Sequence, residues 1–353
     1  MAKEEFLKDD EQKSEEMMGE KYIICKDSYY QPVDKCVTYM EPTLIDYSIL
    51  TSSQEANDEL HKFKSALSSW GCFQLINHGI PTKLLDETKK VSRQFFGLPM
   101  EEKQKYAMLP NDTSGHGYQV GNVSHVTSPS SATNKVLDWN EGFSLALFPE
   151  HRRKPEFWPD FPPNFKDVFR EYAARLETIF DALFKLVVQS LNVDEERFAK
   201  QYDKNRETNL RLNFYPKCEG LKQVLGLKPH ADFSTMTLLL QDEEGLQVLK
   251  DEQWFMVPVI PNALFLNLGD PLEIMSNGIF KSAVHRVVTN TEKERLSVVA
   301  FWDSDRNKEI GPLDELITED RPQIYQRVSL KEYIYTFLNY YQSGKRPIND
   351  FKV

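Results

Sequence analysis

The apolar positions of the chain change period along its length. In residues 53–69, Leu60, Phe63, Ala66 and Leu67 recur at spacings of three and four, which predicts an amphipathic helix with Ser53 as a candidate N-cap. The run Cys72-Phe73-Gln74-Leu75-Ile76 predicts a strand, ended by Asn77-His78-Gly79. His78, beside a glycine turn and far from any partner ligand, reads as a local hydrogen-bonding residue. Pro81 opens a second helix over 81–96, with proline at its first position, and Gly97-Leu98-Pro99 stops it. The widest stripe lies in 162–191, where Phe165, Val168, Phe169, Tyr172, Leu176, Ile179, Phe180, Leu183, Phe184, Val187 and Val188 repeat. It predicts a long scaffold helix packed on a sheet.

From residue 209 to 302 the pattern shortens to strands. The turns Glu243-Glu244-Gly245, Gly269-Asp270 and Ser276-Asn277-Gly278 punctuate them. Short strands at regular spacing predict an antiparallel sandwich or barrel. Shorter strands are expected at 43–47 and at Phe143-Ser144-Leu145. A long loop is expected over 110–135, rich in Gly, Ser, Thr, Asn and Pro, with His116 and His125 exposed. A loop at 311–322 precedes an aromatic-rich closing helix over 330–342. The expected division is α+β. Residues 1–42 form a disordered acidic tail and irregular lead-in, and 43–205 a helical region packed on the core. Residues 206–306 form the β core, and 307–353 the closing helix region.

Composition narrows the function classes. The 353 residues, 40% hydrophobic, suffice for one large domain or two small ones. A net charge of −11 argues against nucleic acid and against an anionic membrane surface as partners. No apolar run reaches the roughly eighteen residues of a membrane helix. The acidic start, Met1-Ala2-Lys3-Glu4-Glu5, lacks the basic and apolar regions of a secretory signal. A cytoplasmic, monomeric protein is the expectation. The four cysteines, Cys25, Cys36, Cys72 and Cys218, show no C-x-x-C spacing and are expected to be reduced. A Cys25–Cys36 pair has only the even count in its favour.

The candidate chemistry lies between Lys228 and Ser297. His230 and Asp232 are two apart, so on a strand they share a face. His285 stands on another predicted strand. Two imidazoles and a carboxylate, with positions left open, suit non-haem Fe(II) and its oxygen chemistry. Arg295 and Ser297 also share a face, and their fork of donors plus a hydroxyl suits a carboxylate. Residues 290–294 read as a hairpin turn that brings His285 and Arg295 to one interior. Phe233 beside the ligands, and Phe301 on the face of Arg295 and Ser297, are candidate pocket walls. Taken singly, each feature has a blander reading, since a lone strand histidine is more often structural. The conjunction of His-x-Asp, a distant His and Arg-x-Ser favours the metal site.

These words also carry a resemblance. Trp70-Gly71-Cys72-Phe73-Gln74-Leu75-Ile76-Asn77-His78-Gly79, Leu212-Asn213-Phe214-Tyr215-Pro216, Gly226-Leu227-Lys228-Pro229-His230-Ala231-Asp232, Gly245-Leu246-Gln247-Val248, Asn267-Leu268-Gly269-Asp270 and His285-Arg286-Val287-Val288-Thr289-Asn290 stand in one order. The chain resembles the plant soluble Fe(II)/2-oxoglutarate-dependent dioxygenases, relatives of isopenicillin N synthase, over nearly everything past residue 40.

The resemblance implies a double-stranded β-helix (jelly-roll) core with flanking helices. It implies His230, Asp232 and His285 as iron ligands, and 2-oxoglutarate held by Arg295, Ser297, Asn213 and Tyr215. Tyr118 and Phe143 become candidate substrate contacts. The implied reaction is hydroxylation or oxidative O-demethylation of a lipophilic small molecule (an alkaloid, steroid or phenolic) with O2, coupled to decarboxylation to succinate and CO2, with ascorbate as reductant. Two alternatives stay open at this point: an ascorbate-using oxidase without 2-oxoglutarate, and a catalytically silent jelly-roll binding protein. Cys72 and Trp302 depart from the commonest family wording, and both lie away from the ligands.

Overall fold

The computed structural model describes residues 38–52, 56–109, 115–121, 137–194, 196, 206–218, 224–341 and 345–353. The expected acidic tail up to residue 37, Ser53, His125, Cys25, Cys36 and most of the 110–135 loop lie outside these residues. In chain order the strands are β1 (Thr38–Tyr39), β2 (Leu44–Asp46), β3 (Cys72–Ile76), β4 (Gly117–Val120), β5 (Glu141–Phe148), β6 (Glu207–Tyr215), β7 (Leu225–His230) and β8 (Met236–Gln241). They continue as β9 (Leu246–Lys250), β10 (Gln253–Met256), β11 (Leu264–Leu268), β12 (His285–Val288), β13 (Arg295–Asp303), β14 (Glu309–Ile310) and β15 (Val328–Ser329).

Two sheets face each other. The larger runs β2-β3-β11-β8-β13-β6-β5-β4, and the smaller runs β1-β10-β9-β12-β7. This is the jelly-roll arrangement, with helices flanking one side of the larger sheet. The alternation of β13 separates the two faces. Leu296, Val298, Ala300 and Trp302 turn outward into the main core beneath the helix Phe165–Leu191. There Trp302 stacks on Phe180 with ring centroids 6.0 Å apart. Burying each such side chain contributes roughly 1.5–3 kcal/mol, so the helix stripe anchors the sheet from behind. Ser297, Val299 and Phe301 line the space towards the smaller sheet, and Arg295 keeps their parity on the strand. Between the sheets, Leu239, Leu246, Val248, Val287 and Val299 make an apolar floor.

Several elements differ from the sequence reading. The region before residue 206 supplies four strands, β2 to β5, to the larger sheet, in addition to its helices. Thr38–Tyr39, expected as irregular lead-in, pairs with Phe255–Met256. The second helix runs Thr82–Phe96, with Pro81 as its N-cap. Short helices stand at Met100–Gln104, which the sequence reading left without an element, and at Asp270–Met275, where it expected a turn; both are too short to show a period.

His285 and Arg295 are not joined by a hairpin. β12 pairs with β7 and β9 in the smaller sheet, while β13 pairs with β6 and β8 in the larger one. Residues 289–294 therefore cross between sheets, and both side chains still face the space the sheets enclose. His116 is buried, with its Nε2 3.2 Å from Asn209 Oδ1, and is not the exposed loop residue expected. Cys72 and Cys218 are buried, and burial pushes the Cys72 thiol up to about 12.

Candidate metal centre and cosubstrate pocket

His230 ends β7 and His285 begins β12, and the two are direct cross-strand neighbours. Their ring centroids lie 4.3 Å apart. Each Nδ1 meets a backbone carbonyl two residues upstream, Lys228 O at 2.7 Å and Ala283 O at 2.9 Å. A carbonyl only accepts, so each Nδ1 carries the proton and each Nε2 presents a lone pair.

Asp232 lies two residues beyond β7, in the turn into β8. It shares the side of His230 through that turn, since the strand has already ended. Its Oδ2 accepts from Thr237 Oγ1 at 2.6 Å and from Asn267 Nδ2 at 2.7 Å. Its Oδ1 lies 3.6 Å from His230 Nε2 and 3.7 Å from His285 Nε2. Gly269 makes this turn possible, because a Cβ there would stand 1.8 Å from Ser234 O and 2.7 Å from Asp232 O.

The protonation states suit a cation. Burial lowers the His230 pKa to about 4, reinforced by the neighbouring His285. Burial alone would raise the Asp232 carboxyl, but the two imidazoles and the Thr237 and Asn267 hydrogen bonds outweigh it and hold the group below its ordinary value. The outcome is a neutral His230 imidazole beside an ionised Asp232 carboxylate. One donor atom from each of the three residues falls within 4.8 Å of the others, on one side of an open cavity. The set fits a divalent iron, which takes N/O ligands of this kind on one face and leaves the rest open. The partners behind them, Thr237, Asn267 and two carbonyls, fix the orientation of every ligand.

The cavity, about 290 Å³, continues between the sheets below the triad. β6 and β13 line it in register: Arg295 pairs with Tyr215, and Ser297 with Asn213. Arg295 is 2% exposed. Its Nε donates to Glu243 O at 3.0 Å and one terminal nitrogen to Gln241 Oε1 at 2.8 Å. The other, Nη1, is buried without a partner among the described residues. The guanidinium lies over the Tyr215 ring, 5.1 Å from its centroid, and Ser297 is hydrogen-bonded to Tyr215.

A buried guanidinium with a spare donor, a hydroxyl pair beside it and Leu227, Leu239, Leu246, Val287 and Val299 around it fit a short aliphatic dicarboxylate. Gly245 leaves room for the arginine, since a Cβ there would meet Arg295 Cδ at 3.0 Å.

Of the four candidate wall residues, Phe233 and Phe301 line the cavity, and Tyr118 and Phe143 do not. Phe143 pairs with Leu212, which faces the helices, whereas the cavity-facing Arg211 and Asn213 pair with Ser144 and Gly142. Phe143 stacks on Phe95 at 4.3 Å in the outer core, and Tyr118 donates to Glu141 at 2.6 Å there. The cavity also receives residues that the sequence reading did not name: Asn209, Arg211 and Asp303 from the two ladders, and Phe337, Leu338 and Tyr341 from the C-terminal helix and its end. The ladder residues keep the parity of Asn213 and Ser297 and were legible by extending it. Nothing local in the sequence points the C-terminal helix at the site.

A jelly-roll sandwich with a two-histidine, one-carboxylate corner above a buried arginine defines the class of mononuclear non-haem iron oxygenases. The comparisons with known proteins make the class more specific. The model of the 2OG-Fe(II) oxygenase superfamily matches residues 206–304, and that of the non-haem dioxygenase in morphine synthesis N-terminal region matches 43–161. Codeine O-demethylase from Papaver somniferum is 38% identical over 271 residues, 76% of this chain and 73% of its own. S-norcoclaurine synthase 1 from Coptis japonica is 36% identical, over 91% of this chain and 88% of its own. The crystal structure of JOX2 in complex with 2OG, Fe and JA superposes with a TM-score of 0.81 at 30% identity, covering 94% of both chains. The chain belongs to the plant Fe(II)/2-oxoglutarate-dependent dioxygenases, and Fe(II) and 2-oxoglutarate are its cofactor and cosubstrate.

Proposed function

We propose that the enzyme hydroxylates a lipophilic small molecule of plant specialised metabolism, or oxidatively O-demethylates it with release of formaldehyde. One observation carries this reading. The triad lines one cavity with Phe233, Phe301, Phe337 and Leu338, and Tyr215 and Ser297, beside the buried Arg295, line it too. Relatives named for O-demethylation, of codeine and of flavonoids (the latter 34% identical, from Ocimum basilicum), support it.

When bound, Fe(II) with 2-oxoglutarate and O2 supplies the oxidation: the cosubstrate leaves as succinate and CO2, and one oxygen atom enters a substrate C–H bond. The protein's own residues do the rest. His230, Asp232 and His285 would hold the metal, and Phe233 and Phe301 line the same cavity. Arg295, with Ser297 and Tyr215, fixes the far carboxylate of the cosubstrate, and Asn213 holds Ser297 at 3.5 Å. The aromatic wall excludes water and sets the substrate carbon near the metal. Ascorbate serves as the reductant that keeps iron ferrous. Residues 206–306 form the catalytic core, 43–205 complete its larger sheet, and 307–353 close the cavity. The enzyme works as a cytoplasmic monomer without nucleic acid. Among the described residues no helix is long and apolar enough to cross a membrane.

The test is aerobic turnover against a panel of methoxylated and unmethoxylated alkaloids, steroids and phenolics. The expected result is succinate release raised by particular acceptors, with products one oxygen heavier or one methyl lighter. Succinate that never responds to any acceptor would contradict the reading.

A further inference from the structure

β13 runs two residues past Phe301, and its alternation sends Asp303 into the cavity after Arg295, Ser297, Val299 and Phe301. Its partner in register is Glu207. Each acid keeps one buried oxygen without a hydrogen bond among the described residues, Glu207 Oε2 and Asp303 Oδ1, and only Glu207 is in an ion pair there. Glu207 pairs with Arg152, and Arg306 Nε lies 3.5 Å from its Oε2. Asp303 is 2% exposed, and its Oδ1 is buried with no hydrogen-bond partner among the described residues. Leaving a carboxylate oxygen dry and without a donor is costly, and Asp303 is among the residues that line the cavity.

We propose that Asp303 is a substrate-binding residue that accepts a hydrogen bond from a protonated amine on the part of the substrate remote from the oxidised carbon. The proposal rests on the reading of the cavity given above. Three features favour an amine over a neutral donor. A charge-assisted bond is about twice as strong as a neutral one. Phe233, Phe301 and Phe337 wall the same space, and aromatic faces attract cations. Two guanidinia act on Asp303. Arg152 is paired with Glu207, while Arg306, which also lines the cavity, has its Nε 3.5 Å from Glu207 Oε2 without a hydrogen bond among the described residues. Their side chains are 28% and 27% exposed, so solvent screens them. Arg211, the other cation on the wall, pairs in register with Val299, four residues before Asp303. At about 3.3 Å per residue that separates them by roughly 13 Å along the strand. Burial pushes the Asp303 carboxyl up to about 7 against the pull of Arg306, with Asp232 adding to the rise. An ammonium donor would reverse that.

The probes are 2-(4-methoxyphenyl)ethylamine, 2-(4-methoxyphenyl)ethanol and 4-methoxyphenylacetate, titrated anaerobically by calorimetry into the enzyme loaded with Fe(II) and 2-oxoglutarate. The amine is expected to bind about tenfold tighter than the alcohol, and the acid weakest. Asp303→Asn, a near-isosteric change, should erase the amine's advantage and leave the alcohol's affinity near the wild-type value. Equal binding of amine and alcohol by the wild type, or a preference that survives Asp303→Asn, overturns the proposal. The visible charge-transfer band of the loaded enzyme is recorded alongside. An amine preference without the band would keep the Asp303 assignment and reject the iron and 2-oxoglutarate reading. The band without the preference would do the reverse.

Discussion

Asp232 and Asp303 line one cavity, and their surroundings drive them in opposite directions. Asp232 receives two hydrogen bonds and two imidazoles and stays ionised. Asp303 receives too little to offset burial, and its pKa rises to about 7 from an ordinary 3.8. The consequence for stability has a definite sign. An unfolded chain ionises this group near pH 4, while the folded chain resists until near pH 7. Stability is therefore lost as pH rises through that window, on the order of a few kcal/mol in total. Asp303→Asn removes the titration. Its thermal midpoint relative to wild type should climb between pH 5 and pH 8, and a difference that stays constant over that range would contradict the account. The groups facing Asp303, namely Arg306, Arg152 and Asp232, are unchanged in the comparison. At this scale the sequence was legible wherever parity holds. Arg295, Ser297 and Phe301 followed from it, and Asp303 continues the same series. Phe143 and Tyr118 went astray because their facing depends on the partner strand, through the pairing of Phe143 with Leu212, and no single segment reveals that.

The strand β7 shows how an element carries a ligand. Its Lys228 donates to Asp138 Oδ1 at 2.7 Å, with side chains 2% and 0% exposed, and Tyr341 donates to the other oxygen at 2.7 Å. The carbonyl of the same lysine fixes His230. One buried ion pair thus ties the segment before β5, the ligand strand and the end of the C-terminal helix together. Breaking such a pair from one side leaves a buried charge uncompensated, at roughly 3–5 kcal/mol. Lys228→Met should lower the unfolding free energy in urea by about that amount and weaken iron binding with it. A loss below about 1 kcal/mol would mean that the pair only decorates the strand. Helix Phe165–Leu191 was legible because eleven apolar residues hold one period. The two-residue strands β14 and β15 are too short to show any. The crossing from β12 to β13 was read as a hairpin because even spacing reports the facing of two strands and not which sheet each one joins.

At the scale of the molecule, two sheets enclose a cavity lined by His230, Asp232 and His285, with Arg295 buried over Tyr215. The larger sheet is completed from the N-terminal region, and the C-terminal helix supplies Phe337, so the walls of the site come from the whole described chain. The order of the motifs made the fold class readable in advance. A closing C-terminal helix was expected, but its lining of the cavity through Phe337, Leu338 and Tyr341 was not, because the contact of Tyr341 with Asp138 bridges some two hundred residues of sequence. The central claim is that the triad and Arg295 form one site for iron and a chelating dicarboxylate. An anaerobic titration of the Fe(II)-loaded protein with 2-oxoglutarate, followed by its weak visible charge-transfer band, tests it in wild type and in Arg295→Ala. The band should form in both, with the variant needing about 10- to 100-fold more 2-oxoglutarate, as expected for one lost charge-assisted pair. A well-folded, iron-loaded wild type that gives no band, or a variant that titrates like wild type, would contradict it.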